Sequence, residues 1–186
     1  MEQSTIDKIY ELANNVGFDC IGTCSASDLK VRPEVRDMCA ADKCQAYGKN
    51  WVCPPACGSI ESFQAEYDKR DAAVVLQSVG QLEDDYDYEV IMETAQIQND
   101  RFHDFVKAYR ESELNDDPDL DPLFLGTGAC DNCATCTYPD APCRFPDLQF
   151  SSMEASGLVV ADVCIAAGIP YNHGPNTIAY SACVVL

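Results

Sequence analysis

The first apolar pattern along the chain is helical: Ile6, Ile9, Tyr10, Ala13 and Val16 recur every three or four positions with polar residues between them. Asn14, Asn15 and Gly17 end that helix, and residues 18–23 read as a short strand. A second helix is predicted over 27–38, with Pro33 near its first turn. Ser59 ahead of Ile60, Phe63 and Tyr67 predicts a capped helix, and the apolar run from Ala72 to Leu76 predicts a buried strand. Residues 86–113 carry a drifting apolar stripe and read as one long helix, followed by an acidic loop and a strand near 122–126. Ser151 with Glu154 three residues later fits a capping box, so the last helix is expected to start near Ser151 and to stop before Gly168 and Pro170. Residues 178–186 read as a final strand.

Four strands separated by helices predict an α/β sandwich, with α+β as the other class, around a roughly four-stranded mixed sheet of unassigned order. The length of 186 residues predicts a single domain spanning 1–186. Two stretches escape this pattern. Residues 39–58 and 130–146 lose periodicity and fill with Cys, Pro, Gly and aromatic residues, so something other than regular pairing must order them.

Charge narrows the functional classes. Twelve Lys and Arg against 31 Asp and Glu give a net charge of −19, which disfavours nucleic-acid backbones and anionic membranes and favours a partner with a basic surface. The runs 83–85 and 115–121 read as solvated acidic faces. No basic, apolar leader opens the chain and no run of eighteen apolar residues occurs, so the expected compartment is cytoplasmic, with no membrane association. Thiols there stay reduced, and twelve cysteines are read as ligands, reactive groups or core residues before disulfides.

The stronger chemical signal is Cys130-x2-Cys133-x2-Cys136-x6-Cys143, followed by Arg144, Phe145 and Pro146. Three thiolates at successive two-residue gaps wrap a short loop around a compact core, and a fourth closes the cage. The run resembles the bacterial ferredoxin pattern but has six residues, not three, before its last cysteine. Zinc is the rival reading, and a C-x2-C knuckle paired with a distant second pair would suit it better. The other constellation is Cys39-x4-Cys44-x8-Cys53-Pro54-Pro55-x-Cys57. Tyr47, Trp51 and Val52 either cover a cluster held there or simply pack. Arg144 is a candidate donor to cluster sulfur, with a surface ion pair as its alternative. Cys20, Cys164 and Cys183 are read as small buried hydrophobes, and Cys24 as the first of the remaining four to consider as an extra ligand. His103 reads as exposed or half-packed, and His173 as a turn residue, with a ligand-facing loop as its alternative.

Cys44-Gln45-Ala46-Tyr47-Gly48, Cys53-Pro54-Pro55 with Cys57, the run from Cys130 to Arg144, and Ser152-Met153-Glu154-Ala155 together resemble an uncharacterised cysteine-rich family of predicted metal-binding proteins. The resemblance implies iron–sulfur binding in anaerobic bacteria and archaea, often beside corrinoid methyl-transfer systems. More loosely, Gly17-Phe18-Asp19-Cys20-Ile21-Gly22-Thr23 is similar to the opening of corrinoid-binding reductases such as epoxyqueuosine reductase. The expected cofactors are two 4Fe–4S clusters, with a corrinoid as a further candidate. The expected function is low-potential electron transfer to a redox partner such as a corrinoid or flavin enzyme. The alternatives are an iron–sulfur reductase, with substrate or corrinoid near loop 171–176, and a zinc-stabilised interaction module.

Overall fold

A computed structural model of the chain describes residues 1–84 and 86–186. Asp85, the last residue of the acidic run 83–85, lies outside the described residues. The elements follow the order α1 (Gln3–Val16), β1 (Cys20–Ser25), α2 (Pro33–Ala40), α3 (Ile60–Tyr67), β2 (Ala72–Gln81), α4 (Tyr88–Glu111), β3 (Leu123–Leu125), α5 (Val160–Ala166) and β4 (Thr177–Val185). The strands form one sheet in the order β1-β2-β4-β3.

Alternation along the central strands builds two cores. Ala72, Val74 and Leu76 of β2, with Ala182 and Val184 of β4, meet Ile9 and Ala13 of α1 and Phe102, Phe105 and Tyr109 of α4. Ala73, Val75, Cys183 and Val185 point to the opposite face, against Phe63 and Tyr67 of α3 and Val163 and Cys164 of α5. A strand covered on both faces has no reason to alternate with polar residues, which explains the unbroken apolar run at 72–76.

The four expected strands form, but every pairing is antiparallel, not mixed. An apolar run buried on both faces looks the same in either pairing, so the pattern could not decide direction. The last helix also starts later than expected. It is Ser152, not Ser151, whose hydroxyl accepts a bond from Ala155 N (3.1 Å), and Gly157 then adopts φ +96°, which ends that turn before α5 can begin. The predicted helix at 27–38 divides into a capped 3₁₀ turn at Ala26–Asp28 and α2, which begins at Pro33 because proline suits the first helical turn. Among the described residues, no helix is long and apolar enough to cross a membrane.

Candidate metal centre

Both cysteine-rich loops are closed excursions whose ends are held by the fold. The first runs from the end of α2 to the start of α3. The second leaves the sheet after β3 and returns where Gly126 N donates to Ser151 O (2.9 Å), with Gly126 and Ser152 forming a parallel bridge. The turn that follows Ser152 then passes beneath the first loop. Cys39 Sγ donates to Glu154 O (3.9 Å) and Cys57 Sγ to Ala155 O (3.7 Å). Long-range pairing thus brings residues more than 90 positions apart into one site.

Within the first loop, the side chain of Asn50 takes the place of regular pairing. Its Oδ1 accepts from Val52 N (3.1 Å) and Cys53 N (2.9 Å), and Gly48 N donates to Pro54 O (2.8 Å). Cys39, Cys44 and Cys53 line one cavity of about 220 Å³ with Tyr47, Glu154 and Ala155. Burial pushes the Cys53 thiol up to about 11, the Asn50 bond opposes it, and the nearby Cys44, Cys57 and Cys39 add to the rise. Burial likewise raises Cys39 and Cys57, with the Arg36 guanidinium working against it. The four cysteines of this set are therefore electrostatic neighbours. Among the described residues, no three His, Cys, Asp or Glu side chains meet at a single-ion position.

The second set follows its loop more than it encloses a space. Cys130 lies beside Cys133, and its thiol is raised chiefly by burial, with Asn132 lowering it and Cys133 raising it. Thr137 Oγ1 to Pro142 O (2.9 Å) and Arg144 Nη1 to Thr135 O (2.7 Å) tie together the segments that carry Cys136 and Cys143. Three of the sulfurs accept N–H bonds: Cys130 from Asn132 Nδ2 (3.3 Å), Cys136 from Tyr138 N (3.5 Å) and Cys143 from Phe145 N (3.3 Å). Cys130 lines a hollow of about 20 Å³ shared with His103, and Cys143 another of about 410 Å³ shared with Trp51. Arg144 is exposed and spends its bond on Thr135 O, a backbone partner in place of the expected sulfur or carboxylate.

The two loops touch. Trp51 meets Tyr138 edge-on with ring centroids 4.9 Å apart, and Cys130 packs against the small core formed by Ala46, Val52 and Cys53. The tryptophan and Val52 therefore do pack, as the plainer reading had it, but against the other cysteine loop. Two buried donors here lack a protein partner: Trp51 Nε1 and Arg36 Nε. Such groups are rare in folded proteins, and a water or a bound group would supply the missing acceptor. Soft thiol donors around a cavity fit a thiophilic metal group.

The other four cysteines gather elsewhere. Cys24, Cys164 and Cys183 are buried in the core beneath α5, near enough to raise one another's pKa, and Cys20 packs against the same core. Cys24 thus takes the role of a core residue. His173 Nε2 bonds Gln77 Oε1 at 2.7 Å, which anchors its loop. The sequence reading had overlooked Arg36 and Asn50 as site residues. Arg36 stands three positions before Cys39 on α2, and that spacing on one helix face was the available signal.

Comparison with known proteins gives one family and one structure. Residues 22–186 match the model of the family described as predicted metal-binding protein (DUF2284). No curated protein matches the chain. A selenomethionine-labelled epoxyqueuosine reductase is similar with a TM-score of 0.43 and 14% identity, covering 98% of this chain and 45% of that one. The chain thus spans less than half the length of that structure.

Proposed function

The chain belongs to this family of predicted metal-binding proteins, and from that premise we propose that it is an electron-transfer protein holding two 4Fe–4S clusters. Cys39, Cys44, Cys53 and Cys57 hold one and Cys130, Cys133, Cys136 and Cys143 the other. The observation that carries this reading is the first cage, where thiols line a cavity of about 220 Å³ and do not converge on a point. A single tetrahedral zinc with Zn–S near 2.3 Å would draw its thiolates to about 3.8 Å from one another. N–H bonds to Cys130, Cys136 and Cys143 support the second cage, because they stabilise thiolate sulfur and tune the group it holds.

When bound, each cluster supplies one-electron redox chemistry. The protein's part is to shield the sulfur ligands in graded fashion, from buried Cys53 to exposed Cys44, and to aim donors at them. Contact between the loops at Trp51 and Tyr138 favours a pair of centres that work together. The proposed partner is a redox protein with a basic surface, of the corrinoid or flavin enzyme class, matched to the net charge of −19. One observation favours a reductase as the second reading: a hollow of about 510 Å³, lined by Met38 and Lys43, shares Cys39, Cys44 and Glu154 with the first cage. A substrate bound there would lie directly against the ligand set.

Anaerobic isolation tests the reading. We expect a brown protein with about eight iron and eight sulfide per chain, and an EPR signal on reduction with dithionite. Cys133→Ala should remove about half of the iron and leave the rest. A colourless protein with stoichiometric zinc would end the electron-transfer reading.

A further inference from the structure

We propose that Arg36 makes the two cages electrochemically unequal: its guanidinium gives a positive charge and a free N–H donor to the group held by Cys39, Cys44, Cys53 and Cys57, raising the reduction potential there above that of the second cage. This inference rests on the two-cluster reading above.

Geometry fixes where the guanidinium lies. Arg36 Nη2 donates to Gly58 O at 2.9 Å, the carbonyl next to Cys57, and its guanidinium carbon lies 6.0 Å from the centroid of the Phe63 ring. Those two contacts hold the group beside the Cys39 and Cys57 edge of the cage. Nε is buried there with no partner.

Charge accounting separates Arg36 from Arg70, which is also half-buried. Arg70 is bonded by Glu66 at 2.8 Å and Asp121 at 3.0 Å, so its charge is neutralised. None of the ion pairs among the described residues includes Arg36. A half-buried cation with an orphaned donor and no carboxylate in ion-pair contact is costly unless an anion faces it. The exposed Glu61 carboxylate senses Arg36 from the solvent side. On the Gly58 side, the anions facing it are the thiolates of the cage and the sulfide-rich core they would hold.

The second cage lacks such a cation. Its donors are the Asn132 amide and the backbone N–H groups of Tyr138 and Phe145, all neutral. Arg144 faces Thr135 O and solvent. Each cage has one neighbouring carboxylate, Glu154 at the first and Asp131 at the second, so the cation is what distinguishes them. Net charge and hydrogen bonds to sulfur are two of the levers that set a cluster's potential. The charge of Arg36 favours the first cage, whereas the three N–H bonds to sulfur favour the second; a full positive charge beside Cys57 outweighs them.

The test is an anaerobic potentiometric titration of the iron-loaded protein, followed by EPR, with iron and sulfide assayed on every sample. The wild type should give two separate waves. Arg36→Gln should keep its iron and sulfide yet move the upper wave downward by at least tenfold in the reduced-to-oxidised ratio at fixed potential, about 59 mV for a one-electron couple. The lower wave should stay in place. Arg36→Lys, which keeps the charge and loses the Nε donor, should move the upper wave less, and it decides the matter if Arg36→Gln fails to accumulate. Cys133→Ala should delete the lower wave only. Waves that stay put in both arginine variants, or a shift confined to the lower wave, would overturn the inference with the clusters themselves intact. Absence of iron and sulfide from the wild type would instead overturn the two-cluster reading.

Discussion

Gly157→Ala should damage the first cage from a position that carries no ligand. Gly157 adopts φ +96°, a left-handed conformation costing an L-residue roughly 1–2 kcal/mol. A Cβ there would also stand 2.9 Å from Ile60 Cγ2 and 3.3 Å from Val31 Cβ. Both neighbours are β-branched and stiff at χ1, so neither swings aside cheaply, and overpacking of this kind adds about 1–3 kcal/mol. The expected total is about 3 kcal/mol, or roughly 6–12 °C in Tm for a domain of this size. Gly168→Ala is the matched control, since Gly168 has φ +73° with nothing within 4 Å of the added carbon. It should show the conformational strain alone. Gly157 O also accepts from Arg32 N at 2.7 Å, just ahead of the helix that carries Arg36 and Cys39, and the turn it ends presents Glu154 O and Ala155 O to Cys39 and Cys57. Loss of stability should therefore come with faster loss of iron from one cage. Anaerobic thermal melts of the loaded variants, with iron assayed, make the comparison. Equal costs for the two alanines would refute the contact argument.

Three further outcomes follow from named contacts. Tyr138→Ala removes an edge-on ring pair worth about 0.5–1.5 kcal/mol and should speed iron release to a chelator; an unchanged release rate would mean the loops do not brace each other. Gln77→Leu strips partners from His173 and Ser181 and should cost about 1–3 kcal/mol in denaturant melts, while iron content stays at the wild-type level. Alkali should destabilise the fold through Cys24, which burial pushes from 9.0 up to about 11. Because the folded state holds that proton more tightly, its contribution is complete below pH 9.0 and falls away towards pH 11, about 3 kcal/mol in all. Cys24→Ala should flatten that part of an anaerobic stability–pH profile, and an unchanged slope would exclude the thiol as its source.

Most of the architecture was legible in the order of residues because local physics wrote it there. The 3.6-residue stripe of α1, the serine cap of α3 and the apolar run of β2 each report the burial that the element will meet. Spacing within each loop likewise marked the eight candidate thiols. Direction of strand pairing escaped, because side chains buried on both faces carry no mark of their neighbour's polarity. The late start of α5 escaped too, since a serine three positions before a glutamate reads as a cap until Gly157 takes its left-handed turn.

The sequence by itself determined which residues are candidate metal ligands, since thiol chemistry belongs to the residue type and two-residue gaps belong to the chain. Only the tertiary structure decided that the two loops adjoin, that Glu154 and Ala155 lie beneath Cys39 and Cys57, and that Arg36 rather than Arg144 is the arginine next to sulfur. The reason is distance along the chain. Contacts between residues 39–58 and residues 126–157 are set by how β3 and the Ser152 turn dock beside α2, and no local pattern encodes that placement.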